Sequence, residues 1–208
     1  MRGWFERGMP GGRVRLKHAV FFLRHGETDW NVERRYQGHS DTPLNGNGRN
    51  QAARNGETLK TLIADPNGVA FVSSPLARAT ETLEIARDAM GLPRRRYAID
   101  DRLIEIDLGD WNGRTYDDIA AEDPGVHERR DRDKWNFSIP GGESYREAAV
   151  RIRDFLDGID RPSVIVGHGA SGRILRGYLL GLKPGRVPHL EAPQDKVFHI
   201  SRGIENAI

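Results

Sequence analysis

The sequence predicts an α/β fold, a three-layer α/β/α sandwich with a mostly parallel central sheet. Three observations predict it. Apolar runs and amphipathic segments alternate from about residue 18 onward, the pattern of strands covered by helices on both faces. The first of these runs, "AVFFL" at 19–23, reads as a buried strand. The length, 208 residues, suits one sizeable domain and is tight for two.

The elements follow in order. Residues 1–17, "MRGWFERGMPGGRVRLK", show no period and carry Pro10-Gly11-Gly12, so they read as a flexible extension before a single domain at 18–208. After "AVFFL", the stretch "GNGRNQAARNGETLKTLI" reads as a helix with Ala52, Leu59, Leu62 and Ile63 on one side. "VAFVSS" is a second strand. "SPLARATETLEIARDAMG" carries strong helix signals, with Ser74 as N-cap, Pro75 at the first helical position and Gly91 as the stop. "RYAIDDRLIEIDLGDW" is part strand and part loop, and "TYDDIAAED" a short helix. Residues 123–142 are polar and read as irregular, a segment placed to cover the mouth of a pocket. "ESYREAAVRIRDFLDGI" is a helix with Tyr145, Ala148, Ala149, Ile152, Phe155, Leu156 and Ile159 inward. "SVIV" is a strand, "ASGRILRGYLLG" a helix stopped by Gly181, and "KVFHI" a last strand.

Composition excludes several classes. With no cysteine, disulfides, thiolate metal sites and cysteine nucleophiles are out. Net charge is +2 with basic and acidic residues interleaved, so no nucleic-acid partner is expected. The five apolar residues of "AVFFL" are too few for a signal-peptide core or a membrane span. The expectation is a soluble, cytoplasmic protein with no membrane partner. Oligomeric state is not legible.

In folds of this class, ligands collect at the carboxyl ends of the strands. The first strand ends in Arg24-His25-Gly26, the second leads to Arg78, and "SVIV" ends in Gly167-His168-Gly169. Two arginines and two histidines thus gather at three strand ends. Phosphoryl transfer suits that set. The migrating group spreads charge over three oxygens, which planar guanidinium forks grip bidentately. A neutral imidazole can attack phosphorus, and nearby guanidiniums keep it neutral. An acid for the leaving oxygen has candidates in Glu105, Asp107 and Asp110 of "RLIEIDLGDW".

"LRHGETDWN", "SSPLARATET", "LIEIDLGDWNGRTYDDI", "PGGESY" and "VGHGASGR" occur in that order. Together they resemble the histidine phosphatase superfamily, the branch of cofactor-dependent phosphoglycerate mutases and broad-specificity phosphatases. The resemblance implies a phosphoglycerate mutase-like fold and a metal-independent reaction. It implies that His25 is the nucleophile that becomes a phosphohistidine, and that Arg24, Arg78 and His168 line the phosphate pocket. By the same resemblance Glu105 is the proton donor, Asn31 adds a phosphate hydrogen bond, and Gln37 and Gly38 lie beside the substrate. Residue spacing alone leaves Glu105 and Asp107 open.

Other readings fit less well. No H-E-x-x-H or H-x-H run marks a metal site, and no metal is expected. His18, His39, His127, His189 and His199 read as structural or surface residues. Around Ser171 the sequence is G-A-S-G-R, which is not the G-x-S-x-G elbow. Gly167, Gly169 and Gly172 match a dinucleotide fingerprint, but Pro184, Pro188 and Pro193 crowd the segment where its next strand belongs. The loop reads instead as glycines, Gly169 among them, bringing backbone close to a phosphoryl group at a helix N-terminus. The expected function is therefore hydrolysis of a small phosphomonoester with no cofactor. The alternative is a phosphoglycerate mutase, with 2,3-bisphosphoglycerate as its cofactor. Against it, the mutases that this resembles carry an E-R-H-Y-G block where this chain has "LIEIDLGDWNG", and a longer closing tail. A non-catalytic phospholigand module is a third, weaker reading, because both nucleophile and acid are present.

Overall fold

The structure, a computed structural model, describes residues 9–208. Its strands are β1 (Val20–Arg24), β2 (Ala70–Ser73), β3 (Ala98–Ile99), β4 (Ser163–Gly167), β5 (Phe198–Ser201) and β6 (Ile204–Ala207). They form one sheet in the order β3-β2-β4-β1-β5-β6. The first four are mutually parallel, while β5 runs antiparallel to β1 and β6 antiparallel to β5. The helices are α1 (Asp29–Val32), α2 (Gly46–Leu62), α3 (Ala77–Ala89), α4 (Tyr116–Glu122), α5 (Val126–Arg132), α6 (Tyr145–Asp157) and α7 (Gly169–Leu180).

Side chains that alternate along β1 go to opposite layers. Val20 and Phe22 join Ile152 of α6 and Ile174 of α7 in one core. Phe21 and Leu23 join Leu59 of α2 and Leu83 of α3 in the other. Leu23, Leu59, Leu83, Ile152 and Ile174 are fully buried, and each such burial contributes about 1.5–3 kcal/mol. The three-layer sandwich follows from that alternation.

Register decides where chemistry can collect. Arg24 of β1 pairs with Gly167 of β4, and the His25 N–H donates to the Gly167 carbonyl at 2.9 Å. The Ser74 N–H donates to the Val166 carbonyl at 3.0 Å. The ends of β1, β4 and β2 are therefore level, with His25, His168 and Ser74 side by side.

Four expectations need correction. Ser74 is not the N-cap of α3 and Pro75 is not its first residue: the helix starts at Ala77 after Leu76, with no cap from its own segment. Asp41 Oδ1 accepts from the Ala77 N–H at 2.8 Å instead. Residues 126–132 form α5 rather than irregular chain. Gly125 enters it at φ +83°, and Glu128 in the first turn with Arg129, Arg130 and Arg132 in the last complements the helix dipole. "KVFHI" is not the last strand, because Arg202 and Gly203, both at positive φ, turn the chain back into β6. Residues 9–17 do not hang free of the domain. Met9 and Val14 are buried in the core, and Arg153 donates to the Gly11 and Gly12 carbonyls. The rest of the expected extension, residues 1–8, lies outside the described residues.

β6 is tied inward by an ion pair between a buried arginine and a partly buried glutamate. Arg176 of α7 stacks on Phe198, its guanidinium carbon 3.8 Å from the ring centroid, and donates to Glu205 at 2.7 Å. It also donates to the Glu191 carbonyl at 2.5 Å.

Candidate active site

A cavity of about 350 Å³ opens at the carboxyl ends of β1, β2 and β4. Arg24, His25, Asn31, Gln37, Gly38, Arg78, Glu105 and Gly169 all line it. His168 does not. Its ring is fully buried, packed against His25 with centroids 5.2 Å apart, rather than on the open wall.

His25 is 3% exposed. Its Nδ1 lies 2.8 Å from the Gly26 carbonyl, and a carbonyl only accepts, so the ring proton sits on Nδ1 and the Nε2 lone pair is bare. Burial, then Arg78 and Arg24, push its pKa well below 6.5. The ring is neutral at neutral pH.

The two guanidiniums are braced on backbone. Arg24 donates to the Ala192 carbonyl at 2.8 Å. Arg78, 1% exposed, donates to the Ser40 and Gly38 carbonyls at 2.6 and 2.7 Å. The Nε–H of each is buried with no partner. Burial lowers both pKa values, that of Arg24 to about 10 with help from Arg173. Two desolvated cations with an unused donor each are built to take an anion.

His168 Nε2 lies 2.6 Å from Ser74 Oγ, and its Nδ1 is buried without a partner. Burial and Arg78 lower its pKa too. Ser74 thus serves the neighbouring strand end rather than α3.

The Glu105 carboxylate sits at the N-terminus of α7, accepting from the Ile106, Ala170 and Ser171 N–H groups at 3.0, 3.0 and 2.9 Å. Its backbone is held as well. Arg151 and His39 both donate to the Glu105 carbonyl, and Arg151 is paired with Glu143 at 2.8 Å. Asp107, two residues on, instead accepts from the Gly109 N–H and does not line the cavity. Geometry therefore separates two carboxylates that spacing left open.

Asn31 Oδ1 accepts from the Thr28 N–H at 3.1 Å and from Gln194 at 2.9 Å, and Gln194 also donates to the His25 carbonyl at 3.1 Å. Gln37 accepts from Thr42 at 2.7 Å. Gly38, at φ +47°, admits no side chain, since a Cβ there would lie 2.2 Å from Asn112. Among the described residues, no cluster of three or more His, Asp or Glu side chains could hold a metal.

The model of the histidine phosphatase superfamily (branch 1) matches residues 20–203. The chain belongs to that superfamily. It is 36% identical over 169 residues to the protein named "Probable phosphoglycerate mutase GpmB" of Salmonella paratyphi C, covering 78% of this chain and 75% of that one. The structure of a mycobacterial glucosyl-3-phosphoglycerate phosphatase, complexed with VO3, superposes with a TM-score of 0.76 at 32% identity, covering 92% of this chain and 96% of the other. The crystal structure of a Thermus thermophilus protein does so with a TM-score of 0.69 at 30% identity, covering 91% and 99%. The six-stranded mixed sheet flanked by helices is the fold of this histidine phosphatase group. The chain is an enzyme of that superfamily, whose relatives bear phosphatase and mutase names. No helix among the described residues is long and apolar enough to cross a membrane.

Sequence reasoning missed several residues of this candidate site: Tyr145 and Arg173 on the cavity wall, Ser74 behind His168, Arg151 behind Glu105, and Gln194 behind His25. Arg173 carried a signal, since it lies one turn beyond Gly169 on the face of α7 that meets the cavity. Gln194 carried none, because it arrives from a loop 169 residues away from His25.

Proposed function

We propose that the chain hydrolyses a small phosphomonoester through a phosphohistidine on His25. The observation that supports this most is the bare Nε2 of a neutral His25 in a cavity whose wall carries Arg24 and Arg78, each with an unused Nε–H. Nε2 attacks phosphorus and the P–O bond to the alcohol breaks. Glu105, taking up a proton first, gives it to the leaving oxygen. Arg24 and Arg78 hold the equatorial oxygens, with Asn31 and the Gly169 backbone beside them, and His168 donates a further hydrogen bond. A water then attacks phosphorus, losing its proton to Glu105, and the N–P bond breaks to restore neutral His25. Gln37 and Gly38 border the alcohol part of the substrate. The reaction needs no metal and no cofactor.

A pulse of labelled substrate tests this. Acid-labile phosphate appears on wild type and is absent from His25→Ala, which loses essentially all turnover. Wild-type turnover by His25→Ala would sink the assignment. The GpmB-named relatives support a second reading, transfer to another hydroxyl of the substrate instead of water. That reading predicts turnover of 3-phosphoglycerate to 2-phosphoglycerate stimulated by 2,3-bisphosphoglycerate. The hydrolase reading predicts free phosphate without it.

A further inference from the structure

The cavity wall carries six cationic side chains, Arg24, Arg35, Arg78, Arg130, Lys134 and Arg173, against one carboxylate, Glu105. A phosphoryl group uses two of the cations, Arg24 and Arg78. Arg35 is already paired with Glu33 at 2.5 Å. The other three form no ion pair among the described residues.

These three cations are also positioned. Arg130 stacks over the Trp111 and Tyr36 rings, 5.5 and 5.8 Å from their centroids. Arg173 donates to the Leu190 carbonyl at 2.6 Å. Lys134 precedes Trp135, which is buried in the core. Lys134 is half-buried, and burial with Arg130 and Arg173 nearby lowers its pKa to about 8. Gathering like charges in a partly dry cavity costs free energy that Asp131, near Lys134, and Glu105, near Arg24 and Arg78, offset only in part, and a bound anion offsets more of it.

We propose that Arg130, Lys134 and Arg173 form a second anion subsite, so that the substrate is a phosphomonoester carrying another anionic group, a carboxylate or a second phosphate. This rests on the cavity being the substrate site proposed above. Both sources present the same chemistry, oxygens of a fixed anion a few bonds from the transferred phosphoryl. Arg130 and Lys134 come from α5 and the turn after it, Arg173 from α7. The subsite therefore spans the segment that covers the cavity and the helix that carries His168 and Gly169.

Calorimetric binding to full-length His25→Ala, which cannot turn the ligand over by the proposed route, tests the subsite. The probes are three molecules with a common three-carbon chain: glycerol 3-phosphate, 3-phosphoglycerate and glycerol 1,3-bisphosphate. At least one of the doubly anionic probes binds about tenfold or more tighter than glycerol 3-phosphate, as one or two charge-assisted contacts give. A gap confined to 3-phosphoglycerate assigns a carboxylate, and one confined to the bisphosphate assigns a phosphate. Adding Arg130→Gln and Lys134→Gln closes the gap to about twofold. Adding Arg132→Gln, an exposed arginine of α5 outside the cavity, leaves it open. Equal affinity for all three probes overturns the subsite, as does a gap that survives the double substitution or no binding of any probe. Failure of wild type to release phosphate from any ester would sink the hydrolase reading and leave these binding ratios standing.

Discussion

Ser74 Oγ and His168 Nε2 meet at 2.6 Å at the ends of β2 and β4, and His168 Nδ1 is left buried with no partner. A serine hydroxyl can donate or accept. If it donates to Nε2, the ring proton is fixed on Nδ1, the nitrogen still free to donate to a phosphoryl oxygen. Ser74→Ala removes that control. It is expected to lower kcat by about 10- to 100-fold, within the range of a lost general-acid–base or oxyanion contact. Ser74→Thr, which keeps the hydroxyl, recovers most of it. Steady-state kinetics with p-nitrophenyl phosphate and the ring nitrogen shifts of His168 check this. Unchanged shifts in Ser74→Ala would show that the hydroxyl does not set the tautomer.

The pH dependence of kcat/KM carries the imprint of His25. Burial, Arg78 and Arg24 hold its pKa well below 6.5, so protonating the nucleophile causes no loss between pH 7.5 and 6.5. The acid limb due to His25 lies lower, and Arg78→Met moves it up towards 6.5. Stability has a definite sign as well. The unfolded chain, with ordinary histidines, binds protons that folded His25 and His168 refuse. Stability therefore falls as pH drops below about 6.5. Denaturant midpoints of wild type and His25→Ala across pH 5 to 7.5 check it, with the variant showing the shallower fall.

Lys134 reports from the other end of the range. With its pKa lowered to about 8, it is charged below that value and loses its proton above it. Affinity for a doubly anionic ligand therefore declines as pH rises through about 8. Lys134→Gln flattens that part of the profile. Binding isotherms for 3-phosphoglycerate at pH 7 and 9 are the measurement, and a ratio that is the same in both proteins would exclude Lys134 as its source.

Gly172 lies where α7 crosses β1. A Cβ at this position would stand 2.2 Å from Phe22 Cζ, inside one of the two cores. Gly172→Ala is expected to destabilise by about 1–3 kcal/mol, the usual cost of overpacking. Phe22→Leu in the same chain recovers part of that. Urea unfolding of the single and double variants measures the coupling.

The same glycine explains why "VGHGASG" imitates a dinucleotide fingerprint. Gly167 and Gly172 both meet the Phe22 ring, so the spacing serves close helix-on-strand packing, which many phosphate-binding turns need. Much of the site was readable because strand ends are fixed in register. Once "AVFFL", "VAFVSS" and "SVIV" are strands, the residues after them must meet. Ser74 misleads because its local context is a sound helix start, and only a carboxylate from another segment, Asp41, makes its capping role unnecessary. α5 escapes a reading by period because its charges hide a short apolar face, Val126 and His127, too brief to show one. Spacing could not tell Asp107 from Glu105; the family resemblance favoured Glu105, and the physical reason appears only in the turn at Gly109, which claims the Asp107 carboxylate.

The pair Arg176–Glu205 makes β6 a guy-rope for the catalytic end of the sheet. Glu205 anchors Arg176, Arg176 grips the Glu191 carbonyl, and the next few residues of that loop supply the Ala192 carbonyl to Arg24 and Gln194 to His25. Glu205→Gln would slacken the rope without altering any residue of the cavity wall. The expected effect is poorer aim of His25, at a distance from the residue that was changed.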